Sequence, residues 1–299
     1  MIAVLLNVIA PVLICVLIGF FWGRSGTSYA TEFVTRMITF VGAPCLIIAT
    51  INKSQLQWQD FLLMAKLQVM VLAGTAVIGF GLFRLLRLDF SSLGLSVVMP
   101  NVGNMGLSLC LFAFGEEGLA LALIIFVVTS LIHFASGDLI LSRDGSLGRR
   151  LLNIARQPLV YGALVAVLLI TTQTRLPPLL ANTTELLGGM TIPLMLTTLG
   201  VSLSRLGAEN WRAGTVIALT RMVGGVAVSA LLVWLLDLRG IPAKVLILQA
   251  AMPSAVFNYL FALKHDRQSG VVASGVVIST LLAAFTTPLL IWWLMQWQP

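Results

Sequence analysis

Two short stretches place residues able to hold a polar solute just after a proline inside an apolar segment. In residues 97–109, VVMPNVGNMGLSL, Pro100 is followed by Asn101, Gly103, Asn104 and Gly106. In residues 248–260, LQAAMPSAVFNYL, Pro253 is followed by Ser254 and Asn258. Amides and a hydroxyl offer hydrogen bonds but no activated nucleophile and no acid–base pair. The chemistry they suggest is non-covalent: a carboxylate held by donors, without a fixed positive charge. Proline deletes a helix donor and clashes with the preceding turn, and glycine weakens a helix by about 1 kcal/mol. In hydrocarbon such a break survives only where protein buries it or water reaches it.

The rest of the chain explains why those breaks stand out. Its 299 residues are 59% hydrophobic and 10% charged, with a mean hydropathy of +1.01. A soluble protein carries about 25% charged residues. The composition is that of an all-α integral membrane protein whose partner is the lipid bilayer. The alternating strands of about ten residues that a membrane barrel needs are absent. The net charge of +7 comes from basic residues placed singly or in small pairs, which points to the positive-inside rule and away from nucleic acid. Cys15, Cys45 and Cys110 all lie in apolar segments, against a disulfide framework. With His133 and His265 the only histidines, no metal is expected, and no cofactor beyond a coupling ion, proton or sodium. The N-terminal run, without a preceding charge, reads as a retained span and not as a signal peptide.

About ten segments are long enough to cross a bilayer. They fall near 2–21, 33–51, 61–83, 92–113, 118–140, 152–172, 178–203, 213–236, 242–263 and 270–295. Of the 18 basic residues, twelve lie in or at the edges of the loops after odd-numbered spans and four in or at the edges of those after even-numbered ones, while Lys66 and Arg221 lie deeper within spans. That bias puts the odd loops in the cytoplasm and both termini outside. The chain also repeats itself. Met99-Pro100 and Met252-Pro253 are 153 positions apart, Gly118 and Gly270 are 152 apart, Pro44 and Pro193 are 149 apart, and Pro11 and Pro158 are 147 apart. Halves of five spans each, 1–146 and 147–299, must run through the membrane in opposite senses. An inverted repeat with helices broken in matching places is the mark of a secondary transporter.

Five other titratable residues within spans bear on function. Arg221 lies about 15 Å deep at 1.5 Å per residue. Two readings stand: a counter-charge or gate for an anion, or a structural pair with Glu185 in the seventh span. Lys66, one turn inside the third span, is able to snorkel to the surface. His133 is either a protonation site or a packing histidine, and Asp138 stands near the cytoplasmic end of the same span.

The stretches TRMITFVGAPCLIIATIN, VMPNVGNMGLSL and LQAAMPSAVFNYLFALKHD resemble the auxin efflux carrier family, which includes plant auxin exporters and bacterial transporters of small organic acids such as malonate. The resemblance implies a sodium/proton antiporter-like fold with crossing fourth and ninth helices. It implies a scaffold of spans 1, 2, 6 and 7, a transport unit of spans 3–5 and 8–10, and a homodimer. It also implies that Asn101, after the fourth-span proline, contacts substrate. The plant members differ in having a second proline where Ser108 stands, and an acid one turn from the lysine matched by Lys66. The long cytoplasmic loop of many plant exporters is replaced here by LSRDGSLGRR.

The expected function is therefore secondary transport of a small organic anion, auxin-like or malonate-like, across a bacterial inner membrane by alternating access. A sodium/proton antiporter of related fold would want paired mid-membrane carboxylates, and an intramembrane enzyme would need a catalytic cluster. Single cysteines introduced into a background lacking the three native ones should react with an impermeant maleimide from outside at both termini, and not between Arg143 and Arg150. The reverse pattern would overturn the orientation and the inverted repeat together.

Overall fold

Apolar runs this long satisfy their backbone in lipid only as helices or a closed barrel, and the structure is helical throughout its regular elements. The computed structural model describes residues 2–54, 56–141, 155–207 and 210–297, without the side chains of 2–6 and 137–141. The expected junction between halves at 146 and 147, Arg143, Arg149, Arg150 and the Asp138 side chain lie outside what is described.

Helix α1 spans Ile2–Arg24. Helix α2, Thr31–Met37, runs through a π-helical turn, Ile38–Gly42, into α3, Ala43–Lys53. Helix α4 is Trp58–Leu85 and α5 is Phe90–Val98. After a break, a second π-helical turn, Val102–Leu107, leads into α6, Ser108–Leu141. Then come α7, Pro158–Thr172, α8, Pro178–Gly189, and α9, Thr191–Arg205. Helix α10 is Trp211–Leu235 and α11 is Gly240–Ala250. A second break precedes α12, Val256–Lys264, and α13, Ser269–Gln296, closes the order. Among the described residues, seven helical stretches are long and apolar enough to cross a membrane, and α7 and α11 are shorter apolar helices. Among the described residues no strand forms, and Pro100 and Ser254 make one isolated antiparallel bridge.

Local sequence sets the interruptions. A residue before proline is pushed out of the helical region, and Met99 is extended at φ −93 and ψ 106, so α5 stops at Val98. Within α6, Gly115 has φ 70 and ψ −160, a conformation open to glycine at little cost. It falls between the segments expected at 92–113 and 118–140. Asp89 caps α5, accepting the Ser91 N–H at 2.9 Å and the hydroxyls of Ser91 and Ser92 at 2.6 Å. Those hydrogen bonds from Ser91 and Ser92 hold its carboxyl below the ordinary carboxylate range.

Packing sorts the helices into two sets. In one, α1 lies along α9, and α3 packs on α7 and α8. In the other, α10 packs on α13 and α4, α11 on α6 and α10, and α4 on α5 and α6. The sets meet chiefly where α1 and α3 touch α6 and where α9 touches the second π turn. The outer surface is apolar: Phe21 is 65% exposed, Val77 72% and Phe285 76%. Lipid accepts such a surface without penalty.

With lipid on every side, helix association depends on close backbone packing through small residues. Helices α1 and α9 meet in this way. A Cβ added at Gly200 would fall on the Val16 carbonyl, and one at Gly19 on the Thr197 carbonyl. By contrast, exposed Gly81 on α4 has open space around it. Gly200→Ala should therefore cost about 1–3 kcal/mol of stability by overpacking. Gly81→Ala should leave stability unchanged or slightly higher. Thermal unfolding in detergent checks the contrast, and equal melting temperatures would refute it.

Candidate functional site

Each broken helix abandons backbone groups that lipid cannot satisfy, and the two breaks satisfy one another. The Asn101 N–H donates to the Pro253 carbonyl at 2.7 Å, and the Ala255 N–H donates to the Met99 carbonyl at 3.2 Å. The Asn258 amide adds donations to the Met99 carbonyl at 3.1 Å and the Ser254 hydroxyl at 2.9 Å. The Ser254 N–H donates to the Ser279 hydroxyl on α13 at 3.1 Å. Two stretches of extended chain thus cross inside the helical bundle, held by main-chain bonds and one asparagine.

The carbonyls at the C-terminal ends of α5 and α11 remain, and Arg221 of α10 takes them. Its Nη1 donates to Val97 O at 3.1 Å and Val98 O at 2.5 Å, and its Nη2 donates to Ala250 O at 3.0 Å. The side chain is fully buried. Helix C-termini carry partial negative charge, so one guanidinium neutralises two of them and satisfies three carbonyls. Gly225, one turn along α10, makes room for this: a Cβ there would fall on both the Ala250 carbonyl and Arg221 Nη2.

On one side of the crossing lies a cavity of about 120 Å³. Its floor is Pro100, Asn101, Val102, Gly103 and Asn104, the N-terminal end of the second π turn. Asn101 caps that turn, its Oδ1 accepting the Asn104 N–H at 3.3 Å. Its Nδ2 is buried without a hydrogen-bond partner among the described residues. Four phenylalanines, Phe126, Phe134, Phe257 and Phe261, supply apolar wall, with hydroxyls from Thr35, Thr39, Thr129, Ser130 and Thr198. The remaining polar group is His133 on α6. Both helix sets contribute to this wall, since Thr35 and Thr198 come from the first set and the rest of the polar groups mainly from the second. A second cavity, of about 310 Å³, lies toward the other end of the bundle between Thr50, Lys53, Glu116 and Glu185.

Comparison with known proteins decides the family. A profile of the membrane transport protein family matches residues 4–145 and 146–291, nearly the whole chain. The chain belongs to the auxin efflux carrier family. It is similar to an uncharacterized transporter of Methanocaldococcus jannaschii, MJ1031, at 25% identity over 97% of this chain and 99% of that one. It is also similar to an uncharacterized transporter of Methanothermobacter thermautotrophicus, at 29% identity over 34% of each chain. With the apolar helices, membership makes this a multi-pass membrane transport protein.

In this family member the residues singled out from sequence divide into two groups. Pro100, Asn101, Gly103 and Asn104 line the cavity. Gly106, Pro253, Ser254 and Asn258 do not: they build the crossing behind it. Ser254 and Asn258 spend their hydrogen bonds on each other, on Met99 and on Ser279. Gly106 lies against the buried Gln249 side chain of α11. Of the two readings of Arg221, the pair with Glu185 does not form in this structure. Glu185 is about half exposed on α8 and pairs with Lys53 at 2.5 Å, while Arg221 bonds carbonyls. The partners of Arg221 were not readable from the sequence, because backbone acceptors leave no trace in residue identity. Lys66 is exposed on α4 and makes no ion pair among the described residues.

Sequence reasoning passed over the aromatic wall and two buried glutamines. Gln68 of α4 donates to the Thr129 hydroxyl of α6 at 2.8 Å, and Gln249 is fully buried. An amide within an apolar span was the signal available for both.

If Arg221 is the clamp of the crossing, Arg221→Gln should lower stability by about 3 kcal/mol or more, because hydrogen bonds to charged groups are worth about 1.5–3 kcal/mol each. Glu185→Gln should not rescue it, and the two effects should add within about 0.5 kcal/mol. Thermal melts of the two single variants and the double variant decide the matter. Recovery in the double variant would restore the pair.

Proposed function

We propose that this protein is a secondary carrier that moves a small organic anion by alternating access. The observation that carries the reading is the unpartnered, buried Asn101 amide at the N-terminal end of the second π turn, facing a cavity between two helix sets. Such an end presents free N–H groups and a positive dipole. Together with the amide it offers a carboxylate several donors. The phenylalanine wall suits an aromatic or aliphatic body attached to that carboxylate.

The architecture supports the same reading. On it, the breaks at Pro100 and Pro253 are matching parts of two inverted five-span repeats, 1–146 and 147–299, ten spans in all. The set containing α1, α3 and α7–α9 is the scaffold. The set containing α4–α6 and α10–α13 is the transport unit, and its sparse contacts with the scaffold are where sliding occurs. With both termini outside, the cavity at Asn101 lies on the cytoplasmic side and the cavity at Glu185 on the outer side. The form described would then be inward-facing, in a plasma or inner membrane, within a homodimer.

Purified protein should be stabilised by at least one carboxylate from a panel of benzoate, indole-3-acetate, malonate and succinate. A ligand at a hundred times its Kd adds about 2.7 kcal/mol. Asn101→Ala should fold yet bind that carboxylate about tenfold more weakly or worse, the loss of one hydrogen bond to a charged group. A folded Asn101→Ala protein with unchanged affinity would remove Asn101 from the site. No stabilisation by any of the four would remove the anion reading.

A further inference from the structure

The cavity at the crossing has a feature that the anion reading leaves unused. Among the described residues its wall holds one titratable side chain, His133. That residue is 8% exposed and its Nε2 has no hydrogen-bond partner. It lies beside Asn258, whose Oδ1 is likewise buried and unpartnered, because the Asn258 Nδ2 is engaged by Met99 and Ser254. The Phe261 ring lies against the imidazole with centroids 5.1 Å apart, within the range at which an aromatic face attracts a cation.

Among the described residues, the other charges around His133 are engaged or turned elsewhere, and the Asp138 side chain, farther along α6, lies outside them. Arg221 donates to Val97, Val98 and Ala250 behind the crossing. Glu32 and Arg36 of α2 pair with each other, exposed. The Tyr29 hydroxyl bonds that of Thr198. Lys66 on α4 and Lys264 on α12 are exposed. Tyr259 of α12, Lys244 of α11, Arg24 of α1 and Arg205 of α9 do not reach the wall. A carboxylate entering this cavity therefore meets amides, hydroxyls and a helix end, but no fixed opposite charge.

We propose that His133 is the proton-accepting residue of the cavity: it takes a proton from water as a carboxylate enters, so that anion and proton occupy the cavity together. This rests on the reading of the cavity as an anion site. A neutral imidazole has one N–H and one acceptor nitrogen, whereas the protonated ring has two donors. The charged ring therefore has one donor for Asn258 Oδ1 and one for the carboxylate, and supplies the missing positive charge. Because transport empties the cavity on the far side, a proton bound with the anion travels with it, and the proton gradient becomes a driving force.

The test is calorimetry of purified protein with the four carboxylates of the panel, in buffers of different ionisation heat, which counts protons exchanged on binding. The wild-type protein should take up about one proton per anion near pH 7.5. Its affinity should fall as pH rises, by up to about tenfold per unit, as linkage requires for one coupled proton. His133→Gln should bind with no proton uptake and no such pH dependence. His265→Gln, which alters the other histidine, should keep both. Binding by the wild-type protein without proton uptake would overturn the proposal, and so would full uptake in His133→Gln. Should His133→Gln fail to fold, the proton count in the wild-type and His265→Gln proteins decides alone. If none of the four carboxylates binds, the anion reading fails and the proposal falls with it.

Discussion

One guanidinium holds the centre of this molecule together. Arg221 is a charge well inside a helix long and apolar enough to cross a membrane, a costly place for it in lipid, yet it sits where two helices present their negative ends. Three carbonyls, from Val97, Val98 and Ala250, close around it. Removing water from a cation is tolerable when hydrogen-bond acceptors replace the hydration shell, and here those acceptors are themselves in need of donors. The cation and the broken helices each make the other affordable in an apolar medium. It follows that the charge is structural in origin even though it lies next to a candidate binding site.

With the C-terminal ends neutralised from one side, the positive end of the second π turn is left facing the cavity. The two prolines thus do opposite things within a few ångströms. They free carbonyls that Arg221 collects, and they free N–H groups that partly serve the crossing and partly face open space. Asn101 stands at the divide: its N–H ties the crossing, its Oδ1 caps the turn, and its Nδ2 has no protein partner. A residue with three polar atoms in three different roles is poorly replaced by any other. Serine lacks the reach and the extra donor, and aspartate would bring a negative charge to a site read here as one for anions.

Much of this was legible in residue order, and the reason is specific. Composition and run length mark the spans because lipid imposes length and apolarity on them. Met-Pro recurring at 99–100 and 252–253 marks the breaks because proline has a single effect on a helix. The side of the crossing to which a residue turns is different. Ser254 and Asn258 look as able to bind a solute as Asn101 and Asn104, but they face their own main chain. That choice depends on the relative rotation of segments far apart in sequence. The partner of Arg221 was hidden for a related reason: a carbonyl belongs to every residue, so its use cannot be read from a side-chain alphabet. The phenylalanine wall was hidden because aromatic residues are unremarkable in a membrane helix until two helix sets bring them to one cavity.

The crossing also bears on the order in which the molecule can be made. Arg221 lies 124 positions after Val97, whose carbonyl it satisfies, and Pro253 must arrive before the Asn101 N–H has its acceptor. During synthesis the first break therefore reaches the bilayer with its polar groups uncovered, and stays so until most of the second half has been translated. A half-made chain is an incomplete solution to its own backbone, open to chaperones, to lipid headgroups or to another half-made chain. Quality control at the membrane has a clear cue in such a chain: a proline-broken helix that has not yet met its counterpart.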